Sequence, residues 1–498
     1  MSKKPKTKPA KPALRDDATK ESYDDKPYHS YPYPLSQPEH IYAVAKLMKI
    51  NAVPVDKARV LELGCAGGGN LFPTAVNYPD SDCVGIDLSP VQIREADAHK
   101  AGMGLTNIRF EALDIMDLDS SYGKFDYIVC HGVFSWVPEF VREKIMQVCR
   151  DNLSPRGIAM ITFNTLPGWA ALGCIRDMMM MHTRHLTDNS KKVAQAKSLL
   201  TFLHKFVPEK TNLRGAVVQV AETFAKANDD SYILHEYLEE NNQPFFFEEF
   251  HDYLTRHKLH YLGDSVLDKM FSGNLGAEAH ALIRQINDRV KREQYMDFVH
   301  NRQFRWALIS KDTLPVPAPI DESELGGLYF STRAQPLAGK YKPEDGKFFY
   351  HIPGNLSDYE SLSPVMTACI ETLIEAKGAA LTMDQIRRSV ESCGFDEAAM
   401  ALFQKTLSLL CLQAVVTIHA GPSRFAATPG EKPVAFALAK YQAGLPASTW
   451  VTSLDNKMTP VSADEAALLK TLDGKKLRAE LNADDVLESL CQKKLLVS

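Results

Sequence analysis

The residues with the clearest chemistry lie in Val60-Leu61-Glu62-Leu63-Gly64-Cys65-Ala66-Gly67-Gly68-Gly69-Asn70. An aliphatic strand ends at Leu63, and the glycines after it let the backbone approach a ligand at the carboxyl edge of a sheet, where open α/β folds bind. The run is not G-x-G-x-x-G, which weakens a dinucleotide reading. Nor is it G-x-x-x-x-G-K-[ST], which excludes a triphosphate cradle as a motif. Glu62 stands two residues before the first glycine. A carboxylate there holds a cationic ligand, such as an amino-acid sulfonium, and repels a pyrophosphate. Asp87, 23 residues after Gly64, closes the next strand and offers a carboxylate to both ribose hydroxyls. Asp114 follows the third strand, in position to accept the adenine amino group, and the fourth strand ends in Cys130-His131-Gly132 at the same crevice. Together the four strand tips specify an adenosyl ligand with a cationic amino-acid arm. The first tip contributes Glu62, Gly64, Cys65, Ala66, Gly67 and Asn70 to this cofactor set; the others contribute Asp87, Leu88, Asp114, Ile115 and His131.

The groups around this crevice bear on the acceptor. His131, Tyr33 and Tyr31 are the candidates for a catalytic proton acceptor; the other reading of His131 is a backbone-satisfying histidine that only shapes the cofactor pocket, and that of the tyrosines is cofactor lid or packing. Trp136 and Trp169 are candidates for the walls of a transfer channel, with ordinary core packing as the other reading. Cys130-His131-Gly132-Val133 closes the fourth strand, and no Asp/Asn-Pro-Pro-Tyr stands there. His235-Glu236-Tyr237-Leu238-Glu239 is not H-E-x-x-H, and no metal site is expected from it; it reads as a helix end docking on the aromatic run Pro244-Phe245-Phe246-Phe247-Glu248-Glu249-Phe250.

Strand and helix signals alternate around these residues. Strand-like runs at 58–63, 83–86, 108–112, 127–130 and 157–163 are separated by helical segments, the pattern of a doubly wound, Rossmann-like parallel sheet. Ser89, Pro90 and Gln92 predict a capped helix start with an S-x-x-Q box. Helical spacing from Ile41 to Ile50 ends before Pro54. From about Pro167 to Asn228 the pattern is wholly helical, and the Met178–Met181 run reads as packing filler near a groove. Helices then run to about Arg302, and Pro315, Pro317 and Pro319 mark a linker. Tyr329 to His351 looks β-rich, and the units at about 362–419 and 432–498 suit winged-helix-like modules. The expected division is a disordered basic tail at 1–27, a cofactor domain at 28–166, a helical regulatory and dimerisation region at 167–314, a middle winged-helix-like domain at 320–422 and a C-terminal one at 430–498.

Composition sets the outer bounds. The chain has 498 residues, 45% hydrophobic and 24% charged, which excludes collagen-like, wholly disordered and membrane-embedded classes. Its 57 Lys+Arg against 62 Asp+Glu give a net charge of −5, too weak a field to imply nucleic acid as a partner. The last module carries nine basic and nine acidic residues from 431 onward, so it suits protein contact better than DNA phosphates. Nine cysteines without a C-x-x-C pair fit neither a zinc site nor a disulfide framework and point to a reducing, cytoplasmic setting. No membrane insertion is expected, because no apolar stretch reaches the roughly 18 residues of a spanning helix.

The strand-tip residues resemble those of class I S-adenosylmethionine-dependent methyltransferases. Leu61 to Asn70, His131-Gly132-Val133-Phe134-Ser135-Trp136-Val137-Pro138 and Asn164-Thr165-Leu166-Pro167-Gly168-Trp169 are similar to bacterial members with a methyltransferase regulatory domain. So are His235 to Glu239 with Pro244 to Phe247, and Tyr261-Leu262-Gly263-Asp264. The later segments are similar in layout to rickettsial protein-lysine methyltransferases that act on outer-membrane proteins. The resemblance implies S-adenosyl-L-methionine as cofactor, a lysine amine of a protein as acceptor, and a homodimer. The expected reaction is in-line methyl transfer, with positioning and desolvation supplying much of the rate. A small-molecule O- or N-methyltransferase and a non-catalytic S-adenosylmethionine-sensing scaffold are the alternatives.

Overall fold

The computed structural model describes residues 29–227, 230–311, 322–337, 348–353, 358–446 and 448–498. The basic tail, Tyr28 and the linker prolines lie outside the described residues.

Seven strands form the central sheet: β1 (Arg59–Leu63), β2 (Asp82–Asp87), β3 (Ile108–Ala112), β4 (Phe125–Cys130), β5 (Leu153–Asn164), β6 (Leu259–Asp264) and β7 (Phe304–Lys311). Their order is β3-β2-β1-β4-β5-β7-β6, with β1 to β5 parallel and β7 antiparallel to both its neighbours. A sheet covered on both faces needs apolar residues at successive positions, and alternate side chains here feed two separate cores. Val60, Cys83, Tyr127, Val129 and Met160 point to one. Leu61, Val84, Ile128, Cys130 and Ile161 point to the other. Helices α1 (Pro38–Leu47), α2 (Phe72–Asn77), α3 (Pro90–Met103) and α4 (Glu139–Asn152) flank this part of the sheet. Ser89 Oγ accepts the Gln92 N–H at 3.3 Å, with Pro90 at the first helical position. The returning half of the expected capping box is absent, because the Gln92 side chain points elsewhere, as described below.

After β5 the chain leaves the sheet for four helices, α5 (Gly168–Thr183), α6 (Asn189–Phe206), α7 (Asn212–Ala227) and α8 (Asp230–Tyr237). They share a core that includes Leu172, Ile175, Val193, Leu200, Val217 and Ile233. In the methionine run, Met179 is in this core and Met181 lies exposed beside a shallow groove. Helix α9 (Phe247–Arg256) then returns to the sheet, where Phe250 stacks on Phe163 at 4.2 Å, and α10 (Ala277–Arg284) and α11 (Arg289–His300) precede β7.

The expected cofactor domain at 28–166 is therefore incomplete. Its sheet closes only with β6 and β7, from the region read as helical with a linker beyond it. The strand signal of β7 is hidden by charge. Arg305, fully buried, interrupts the apolar run and is matched by Asp297 at 2.9 Å and Glu293 at 3.0 Å, while the neighbouring Arg302 meets Asp264 at 2.9 Å. Buried charges need such partners, and none of the three is visible as one from local sequence.

Beyond the linker, Tyr329–Thr332 is the centre of a three-stranded antiparallel sheet with Leu381–Thr382 and Val416–His419. Helices Pro364–Glu375, Met383–Glu391 and Phe403–Leu412 pack on it. The last unit has two short antiparallel pairs, Val434–Ala435 with Leu496–Val497 and Trp450–Thr452 with Met458–Pro460. Both units lie against the first face of the central sheet and share its core. Arg424 Nη1 meets Glu39 Oε2 at 3.0 Å, and the Tyr441 hydroxyl meets His99 Nδ1 at 3.0 Å.

Candidate functional site

A cavity of about 560 Å³ opens at the carboxyl ends of β1 to β5. Glu62, Gly64, Cys65, Ala66, Asn70, Asp87, Leu88, Asp114, Ile115 and His131, all expected to bind cofactor, line it, as do Tyr31 and Tyr33. Gly67 does not. A Cβ on Gly67 would lie 3.5 Å from Glu95 and 3.6 Å from Ser30. Trp136 is in the wall, whereas Trp169 belongs to the helical core and meets Trp136 edge-on at 6.5 Å.

Glu62 is buried at the end of β1. Its Oε1 accepts the Asn70 Nδ2–H at 2.7 Å, and its Oε2 has no partner among the described residues. Burial pushes its carboxyl up to about 8; the Asn70 bond opposes this and nearby Asp87 adds to it. An orphaned carboxylate oxygen in a cavity wall fits a ligand ammonium, which would restore the charged form. Gly64, at φ +71°, makes the turn after the strand, and a Cβ there would come within 2.6 Å of Val133. The Gly64 and Cys65 N–H groups donate to Ile86 O at 2.9 and 3.0 Å, which pins the loop to β2. Burial pushes the Cys65 thiol well up, so it is inert packing.

Asp87 holds the loop from the other side. Its Oδ2 accepts the Ala66 N–H and its Oδ1 the Ser89 N–H, each at 2.9 Å. Asp114 Oδ1 accepts the Met116 N–H at 2.9 Å, between the lining residues Leu113 and Ile115. Gln92, buried and lining the cavity, has neither side-chain amide atom bonded among the described residues. This second orphaned group also fits a polar ligand.

A strap, residues 29–37, crosses the glycine loop. Asn70 Oδ1 accepts the Tyr33 N–H at 2.9 Å, the Ser36 hydroxyl at 3.0 Å and Gln37 Nε2–H at 2.8 Å. The same amide thus orients Glu62 and anchors the strap. Gly69 donates its N–H to Ser30 Oγ at 2.7 Å, and a Cβ on Gly69 would meet the Ser30 carbonyl oxygen at 2.2 Å. Tyr33 lies over His131 with ring centroids 4.1 Å apart, and Tyr31 reaches Trp450 of the last unit at 5.4 Å.

His131 is stacked on Trp306 at 4.6 Å, with Nδ1 3.2 Å from Thr162 Oγ1. Burial pushes it down to about 3. It is therefore neutral at working pH and too weakly basic to take a proton from an ammonium of pKa about 10.4. The sequence reading missed Ser30, Gln92, Asn164, His235, Glu236 and Phe304, all of which line the cavity. His235 and Glu236 belong to α8, so the motif read as a docking helix end is part of the cavity wall. His235 pairs with Glu239 at 2.7 Å, whereas Glu236 has no hydrogen bond or ion pair among the described residues.

Comparisons with known proteins agree with this geometry. The family described as a methyltransferase domain matches residues 54–241, a predicted methyltransferase regulatory domain matches 229–311, and the PKMT C-terminal winged helix domain matches 431–498. The uncharacterized protein RP789 of Rickettsia prowazekii is 37% identical over 464 residues, 91% of this chain and 83% of that protein. A second R. prowazekii protein, RP028, is 40% identical over 229 residues, 46% of this chain and 92% of its own length. The structure of PKMT2 from Rickettsia typhi in complex with AdoHcy superposes with a TM-score of 0.82 at 30% identity, covering 95% of this chain and 100% of that one.

Proposed function

Because the chain belongs to the class I S-adenosylmethionine-dependent methyltransferases with a regulatory domain and a PKMT winged helix, the family of rickettsial PKMT2, we propose that it methylates lysine side chains of proteins. The observation that carries the cofactor half of this reading is the orphaned Glu62 Oε2, set among the Asp87 and Asp114 carboxylates in one cavity. When bound, S-adenosylmethionine supplies a methyl group activated by its sulfonium. Glu62 holds the ammonium of the amino-acid arm, Asp87 the ribose hydroxyls and Asp114 the adenine amine, while Leu88 and Ile115 add apolar cover. The backbone of Gly64, Cys65 and Ala66, which lines the same cavity, would support the arm. Tyr31, Tyr33 and Ser30 close the cavity with the strap and keep water away from the reacting end. His131 serves as an aromatic wall.

The reading of the acceptor rests on the family and on the two C-terminal units, which we assign to protein recognition. The homodimer implied by the resemblance falls to helices α5 to α8, where Met181, Phe202 and Phe206 are exposed. Analytical ultracentrifugation reads that directly. We place the protein in a reducing, cytoplasmic compartment, consistent with nine free thiols. Among the described residues, no helix is long and apolar enough to cross a membrane.

Incubating the protein with methyl-labelled S-adenosylmethionine and lysate of the source cell tests the function. Label on discrete proteins, mapped to lysine by mass spectrometry, is the expected result. Label only in small molecules would overturn the protein acceptor. Cofactor binding without any label would favour a sensing scaffold.

A further inference from the structure

We infer that Glu236 receives the acceptor: its carboxylate binds the ammonium of the incoming lysine side chain and accepts one of its protons before methyl transfer. The assignment rests on the lysine reading above and deepens it.

Glu236 comes from α8, outside the sheet, yet it lines the same cavity as the strand tips. It is half-buried. The other carboxylates described in that wall already have work. Glu62 is held by Asn70, while Asp87 and Asp114 are held by backbone amides. Glu236 has no hydrogen bond or ion pair among the described residues, and the adjacent His235 is committed to Glu239. Tyr232, on the same helix, feels the charge of both Glu236 and Tyr33. Glu236 and Tyr33 therefore both lie near Tyr232.

An unpartnered carboxyl in an apolar wall is costly to keep unless something cationic occupies it. The surroundings suit an alkylammonium. Tyr33, Trp136 and Phe304 line the same space and offer aromatic faces to a methylene stem and its charged head. Burial pushes Glu236 up to about 8, which brings it toward the lysine value of about 10.4. A carboxylate so placed is a far better proton acceptor than His131.

The proton balance is simple. Arrival of the ammonium draws Glu236 into its ionised form and releases one proton to water. An N–H bond of the ammonium then breaks and an O–H bond forms on Glu236, which leaves the lone pair on nitrogen. Glu236 keeps that proton as the methylated chain departs, which restores its protonated resting form, so each transfer releases the single proton that left on arrival.

The test uses the full chain saturated with S-adenosylhomocysteine, with n-butylammonium as the probe in a calorimetric titration. Wild type is expected to bind it, and Glu236→Gln to bind it about tenfold more weakly or worse, as for loss of a charge-assisted bond. Affinity for S-adenosylhomocysteine itself should not change, and the melting temperature should not fall, since Gln has nearly the shape of the protonated carboxyl it replaces. Glu236→Asp keeps the charge and should retain most of the binding. Equal binding by wild type and Glu236→Gln, or no binding by wild type, overturns the assignment while lysine labelling in the lysate experiment leaves the parent reading standing. Absence of lysine labelling by wild type removes the parent reading and this assignment together.

Discussion

At the scale of single residues, the site is made of groups whose ionisation folding has displaced. Glu62 and Glu236 are both pushed up to about 8 by burial, so the ligand-free protein keeps protons that the unfolded chain releases near 4.5. Their stabilising contribution is complete below about 4.5 and is lost as pH rises through about 8. Buried His131, His300 and His419 act in the opposite direction, pushed down to about 3, 4 and 4, but their contribution is complete once pH exceeds about 6.5. Between pH 6.5 and 8 the carboxyls therefore dominate, and the melting temperature of the ligand-free protein should fall. Glu62→Gln should remove about 2 kcal/mol of that decline, read by calorimetry across the window. The same substitution should weaken S-adenosylhomocysteine binding about a hundredfold or more, since it takes away the anion facing the ligand ammonium. His131→Asn is expected to lower kcat about tenfold through lost ring packing, without moving any inflection in the pH–rate profile. A limb near pH 6.5 that vanished in the variant would restore His131 as a proton acceptor.

At the scale of elements, the strap ties the cofactor loop to the last unit. Gly69→Ala would drive a Cβ into the Ser30 carbonyl. The strap, which has no sheet of its own to hold it, should yield first. Affinity for S-adenosylhomocysteine should fall about tenfold or more while far-ultraviolet circular dichroism stays unchanged. Trp450→Ala removes the ring against Tyr31 and should cost about 0.5–1.5 kcal/mol of the same affinity, a change readable by titration although Trp450 is outside the cavity wall. These elements also show what the sequence could and could not reveal. The cavity-lining positions of Glu62, Asp87 and Asp114 are legible because each lies within two residues of the end of a strand with a strong local signal and the loop glycines punctuate the first of them. For Trp169, the choice between channel wall and core packing stays open in the sequence because residue type says nothing about which side of a helix faces the ligand, and the packed chain puts it in the helical core. Glu236 and Gln92 were missed because their importance lies in lacking partners, which only the packed chain reveals. β7 was missed because its buried arginines depend on Asp297, Glu293 and Asp264, residues on other elements.

At the scale of the whole molecule, one contiguous buried cluster runs from Ile41 and Val60 through Phe330 and Leu373 to Phe436 and Leu490. The C-terminal units are thus part of the stability of the cofactor domain. Differential scanning calorimetry should give a single transition covering both, with no separate melting of residues 322–498. A chain cut after Lys311 should expose the apolar face of α1, with Ile41, Val44 and Ala45, and should aggregate rather than act as an isolated catalytic domain. The sheet carries a further consequence in time. β5 ends at Asn164 and its antiparallel neighbour β7 begins at Phe304, so a ribosome must add about 140 residues before that edge can be covered. At roughly 5–20 residues per second, the nascent chain carries a bare strand for several seconds or more. The helices made in that interval are the first surfaces available to shelter it, which makes the speed of translation through them a determinant of yield.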